Sequence, residues 1–173
     1  NDQIERMSAI HVRLRDLVYK AVEEGNRPVS MSGDCCTTIG VLAGLQRAGI
    51  DPIVIWLDAH GDLNTWETSP SGFIGGMPLA MMMGYGEQTL VEAVGLRILP
   101  DKDVLLADGR DLDPGERELV SRLNLKHVTK IPDLMKFDFQ NRPLYIHFDT
   151  DLLNPDDAPA MMYRTAGGPS MEA

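Results

Sequence analysis

Apolar residues fall along this chain in two rhythms. Near the start, Ile10, Leu14, Leu17, Val18 and Ala21 recur at helical spacing among charged residues, which predicts an amphipathic helix over 4–24 closed by Gly25-Asn26. Further on the apolar residues gather into short runs, at 28–32, 53–57, 104–107, 125–128 and 144–148, the one at 53–57 rich in β-branched residues. The run at 53–57, bounded by Asp51-Pro52, reads as a strand buried on both faces, that at 104–107 as a buried strand, and the others as strands. Helices are expected between them at 39–48 and 116–123, with a helix start at 77–84 and an ambiguous, helix-leaning stretch at 89–97. Strands alternating with helices imply a parallel sheet covered by helices. The run Met81-Met82-Met83 reads as adaptable core filling.

The polar residues at the ends of these strands carry the chemistry. Asp58, His60 and Asp62 follow the run at 53–57 with a spacing of two, so their side chains share a face if the extended conformation continues. Carboxylates and an imidazole crowded at one strand end repel unless a cation lies among them, and a divalent metal suits both ligand types. Asp149 and Asp151 repeat the arrangement after 144–148, while His147, on their face but nearer the strand's start, reads as an oriented core residue. Acidic residues also follow the run at 104–107, where Arg110 is placed to neutralise one of them. Four aspartates and a histidine from two strands are enough for two metals, which together bind and activate one hydroxide for hydrolysis. Cys35 lies at a strand-to-helix turn, either as a metal ligand or reactive thiol, or as a small buried hydrophobe. His11 reads as an exposed helix residue, and His127 as isolated from any ligand-like neighbour.

The whole composition narrows the picture further. With 173 residues, 43% of them hydrophobic, the chain has the size and core of one domain. A net charge of −10 argues against DNA or RNA as a partner. No apolar stretch is long enough to span a membrane. The two cysteines, Cys35 and Cys36, are adjacent, so a disulfide framework is not expected and a reducing cytoplasm is the default. The opening residues do not resemble a signal peptide.

Taken together, Asp58-Ala59-His60-Gly61-Asp62-Leu63-Asn64, Phe148-Asp149-Thr150-Asp151-Leu152-Leu153-Asn154-Pro155 and Gly109-Arg110-Asp111-Leu112-Asp113-Pro114-Gly115-Glu116 resemble the motifs of the ureohydrolases, the family of arginase, agmatinase and formimidoylglutamase. The resemblance implies an arginase-like α/β fold, a three-layer α/β/α domain with a mainly parallel sheet, spanning 1–173. Family members are longer, so strands are expected to be missing at both ends. It also implies two divalent metal ions, manganese above all, held by Asp58, His60, Asp62, Asp149, Asp151 and the residue at Cys35. Asp58 and Asp149 would bridge the metals, and Asp62 would hold the attacking hydroxide. Asn64, Ser71 and Asp113 match positions that arginases use for the substrate's amino-acid end. The implied reaction is hydrolysis of a linear C–N bond in a guanidino or amidine compound, in a homo-oligomer.

Four positions depart from the family pattern. Cys35 stands where the family has histidine; its thiolate suits zinc or iron better than manganese. Gly75 stands where arginases have a histidine proposed as proton shuttle, and Phe73 where they have asparagine, so a less polar substrate tail is expected. Glu172 falls one residue short of the family's guanidinium-binding glutamate. The same departures would fit a homologue without catalysis, binding metal or serving as a subunit.

Overall fold

A computed structural model describes residues 2–171, and the chain forms two compact units: Asn1–Pro52 with Asp62–Leu99, and Ile53–Gly61 with Pro100–Ala173.

The first unit is helical: α1 (Asp2–Glu23), α2 (Thr37–Arg47), α3 (Pro78–Met82) and α4 (Thr89–Val94). α2 is buried from Thr38 to Gln46 without a break, so it is a core helix rather than an amphipathic one. α1 packs against it where α2 has no side chains. A Cβ on Gly40 would lie 2.9 Å from the His11 carbonyl oxygen, and one on Gly44 2.7 Å from that of Arg15. Gly44→Ala therefore forces two backbones apart, and is expected to cost about 1–3 kcal/mol, read as a lower melting temperature by circular dichroism. The narrow contact corrects the predicted face of α1. Ile4, His11 and Val18 are buried, whereas Ile10 and Leu17 are 64% and 57% exposed. His11 is thus a core residue rather than an exposed one, and burial lowers its pKa against the opposing pull of Asp34.

The stretch 89–97 resolves into α4, ended by Gly95 at φ +67°. Pro78 occupies the first turn of α3, and Met81, Met82 and Met83 are buried as expected. The strand expected at 28–32 does not form. Those residues pair with no strand among the described residues, and Val29 and Met31 are 84% and 95% exposed. Their alternation suits a strand, but a strand exists only where a neighbour completes its ladder.

The second unit holds the sheet, with β1 (Ile53–Asp58), β2 (Val104–Asp108), β3 (Lys126–Val128) and β4 (Leu144–Phe148) in the order β3-β2-β1-β4. All pairings are parallel, so every strand ends at the same edge. β1 and β2 are buried almost throughout, as their unbroken apolar runs require. Ile55, Leu105, Ala107 and Val128 form a core on one face, packed beneath Ile131, Leu134, Phe137 and Phe139. β4 is the strand expected at this place, and its Leu144, Ile146 and Phe148 are 43%, 59% and 50% exposed. α5 (Pro114–Arg122) starts from Asp113, whose backbone N–H donates to Glu116 Oε2 at 2.8 Å. No helix among the described residues is long and apolar enough to cross a membrane.

Candidate metal centre

The sheet edge gathers acidic groups because three parallel strands end there in register. Asp58 pairs with Asp108 across β1 and β2, and Leu57 with Phe148 across β1 and β4, which places Asp149 beside Asp58. The loops then tie back to the end of β1. Gly109 N–H donates to the Asp58 carbonyl, Asp111 N–H to Ala59, and Asp149 N–H to Leu57, each at 2.9 Å.

Asp58 lies at the centre, 1% exposed. Its Oδ1 accepts from the His60 backbone at 2.7 Å and lies 3.5 Å from His60 Nδ1, while its Oδ2 faces His147 Nε2 at 3.8 Å. His60 Nδ1 is also 3.0 Å from Asp151 Oδ2. Donor atoms of Asp58, His60 and Asp151 lie within 4.8 Å of one another, and so do those of Asp58, His147 and Asp149. Two clusters that share one carboxylate form a donor set of mixed oxygen and nitrogen, suited to divalent transition metals.

Outer contacts hold this arrangement. Arg110 donates to the Asp108 carboxylate and to four carbonyls: Leu152 at 3.1 Å, Asp151 at 2.8 Å, Thr165 at 3.1 Å and Ala166 at 3.1 Å. Its fixed fork clamps the turn carrying Asp151 to the end of β2. Thr165 Oγ1 donates to Asp111 Oδ2 at 3.1 Å and lies 3.5 Å from His60 Nε2, on the side of the ring away from the carboxylates. Such a partner on the second ring nitrogen leaves Nδ1 free to ligate.

Within the cluster the groups shift one another's pKa values. Burial pushes Asp58 up, but the facing imidazoles of His147 and His60, with the His60 backbone N–H, outweigh it and hold the carboxyl down to about 2. Hydrogen bonds to Asp151 and Asp58 push His60 up to about 11. Burial raises Asp151, assisted by the Asp58 and Asp149 charges and opposed by His60. A protonated His60 thus carries a positive charge between the Asp58 and Asp151 carboxylates. Its contribution to stability is complete below its ordinary value of 6.5 and is lost as pH rises through about 11. That of Asp58 is complete above 3.8 and is lost as pH falls through about 2. Chelator-treated protein is therefore expected to draw most from this cluster between 3.8 and 6.5, seen as a plateau in melting temperature against pH.

Of the residues expected from sequence, Asp58, His60, Asp149 and Asp151 come together in the second unit. Asp113 is in that unit too, as the N-cap of α5. Asp62, Cys35, Asn64 and Ser71 belong to the first. β1 stops at Asp58, so the extended conformation does not continue; Asp62 is buried at φ +51° and is placed by a turn rather than by strand alternation. Its carbonyl accepts from Ala80 N–H at 3.1 Å. Cys35 is half-buried in the turn before α2. Its neighbour Cys36 is fully buried, and burial together with Asp34 raises its thiol pKa, so Cys36 is an inert core residue. Asn64 is buried, with Oδ1 accepting from Thr68 Oγ1 at 3.0 Å, and Ser71 is exposed. His127, expected to stand alone, has Nε2 2.8 Å from the Asp108 carbonyl oxygen. Thr165 had no local signal in the sequence. His147 had one: it is two residues before Asp149 on the face that Asp149 continues.

The Arginase family model matches residues 3–173. The chain belongs to the arginase family. An arginase of Bacillus subtilis (strain 168) is 37% identical over 169 residues, covering 90% of this chain and 57% of that one. An arginase of Brevibacillus brevis is 35% identical with the same coverage. Among solved structures, the arginase from Bacillus cereus superposes with a TM-score of 0.85 at 32% identity, covering 96% of this chain and 62% of that one. The chain thus spans less than two thirds of the length of these arginases. Its α/β fold with a parallel sheet is theirs.

Proposed function

We propose that the protein is a metal-dependent amidinohydrolase that cleaves a linear C–N bond in a small guanidino or amidine compound. The observation that carries the reading is Asp58, a buried carboxylate whose two oxygens face two donor clusters at the sheet edge. Homologues named arginase supply the substrate class.

Asp58, His60, Asp149 and Asp151 would hold a pair of divalent cations, with Asp62 and Cys35 completing the set. When bound, such cations supply Lewis-acid activation of water near neutral pH. His60 presents Nδ1 to the cluster, and Thr165, itself donating to Asp111, lies against its other nitrogen. Asp62 is assigned to orient the attacking oxygen by a hydrogen bond. Asn64, Ser71 and Asp113 are assigned to the far end of the substrate. Manganese is the expected metal, with zinc or iron favoured by the Cys35 thiolate. A cytoplasmic homo-oligomer is the setting the family resemblance implies.

The first unit supports a substrate other than arginine. A Cβ built on Gly75 would run into the ring of Phe73, so the space a side chain would need at 75 is already filled. An aromatic wall here fits a less polar substrate tail. The test is release of urea or amine from a panel of guanidino and amidine compounds after loading with manganese, zinc or iron. Turnover of a compound with an apolar tail ahead of arginine is expected; no turnover of any compound with any of the metals would overturn the proposal.

A further inference from the structure

We propose that His147 is a metal ligand, forming with Asp58 and Asp149 the second of two cation sites at the sheet edge. The inference rests on the metal-centre reading above and names a ligand that no motif assigns.

His147 lies opposite Trp56 in the β1–β4 register, on the face that carries Asp58. It is 9% exposed. Its Nε2 is 3.8 Å from Asp58 Oδ2, beyond ordinary hydrogen-bond distance, and all three donor atoms lie within 4.8 Å of one another. Two atoms that each ligate one ion at about 2.1 Å lie about 3–4 Å apart, depending on the angle between them. The spacing therefore suits a shared ion. The neighbouring cluster does not compete for the same oxygen, because His60 is nearest Asp58 Oδ1.

The ring is also held in orientation. Trp56, fully buried, stacks on it with centroids 3.6 Å apart and planes 13° from parallel. A stacked ring can turn only within its own plane, so Trp56 acts as a positioning residue that keeps Nε2 at the sheet edge. One imidazole among carboxylates shifts preference from manganese toward zinc or iron.

Calorimetric titration of the full chain with Zn²⁺, and separately with Mn²⁺, tests the assignment. The parent is expected to take two equivalents. His147→Asn is expected to keep one at parental affinity and weaken the other at least tenfold, with its preference for zinc reduced. Asp151→Asn is expected to do the converse, weakening the other equivalent and sparing this one. A purely structural His147 would lower the melting temperature of His147→Asn and leave both affinities within twofold of the parent, which would overturn the proposal. If His147→Asn does not fold, ¹⁵N spectra of the histidine-labelled parent decide. The His147 ring nitrogen must shift on addition of Zn²⁺, and an unmoved resonance at two equivalents would overturn the assignment. A parent that binds no metal would overturn the metal centre itself; a parent that binds two while His147→Asn does the same overturns His147 alone.

Discussion

Asp58→Asn is expected to abolish uptake of both metal equivalents while leaving the fold in place. The side chain is 1% exposed, and each oxygen faces a different cluster. Asparagine keeps the shape and an oxygen for the His60 backbone N–H, now 2.7 Å from Oδ1. It removes the charge and offers only one good acceptor to two sites. Loss of an outer contact to a metal ligand costs about 10–100-fold in affinity, and loss of a ligand shared by two ions exceeds that. Metal analysis after dialysis should fall from two equivalents per chain to none, with circular dichroism unchanged. Retention of both equivalents would mean that the two clusters are not metal sites.

The second large effect concerns the loop of the first unit. Changing Phe73 to Asn and Gly75 to His together is expected to raise arginine hydrolysis by about 10²–10⁴-fold, the usual worth of a positioned proton-transfer group. Gly75→His alone should gain much less. The Phe73 ring occupies the path of any side chain at 75, so a histidine there must first displace it. Urea release from arginine by the parent, both single variants and the double variant separates the outcomes. A gain in the double variant no greater than the product of the two single gains would show that the two positions act independently.

Much of the sheet unit was legible in the sequence. The apolar run at 53–58 became β1, and the clusters after 58, 108 and 148 meet at one edge because the pairing is parallel. A covalent pattern of that kind survives tertiary context: doubly buried strands admit no polar residue until they end. What failed depended on neighbours. The residues at 28–32 have strand propensity but no ladder partner among the described residues. The buried face of α1 differs from the one its periodicity implies because its contact is set by Gly40 and Gly44 on α2. A single imidazole inside an apolar strand reads as an oriented core residue, and His147 is indeed buried. Its stacking on Trp56 and its distance from Asp58 appear only when β4 lies beside β1. Arg110 was legible as a partner for a carboxylate, but not as the clamp on four carbonyls from segments far along the chain.

The register of β1 with β4 also sets the order of assembly. Ile53 meets Leu144 across roughly 90 residues of chain, so this pairing closes a large loop and is entropically among the slowest contacts to form. Both donor clusters need it, since each takes Asp58 from β1 and its remaining carboxylate from just beyond β4. A cation that binds there cannot nucleate folding; it can only trap the finished sheet, slowing its opening far more than it speeds its closure.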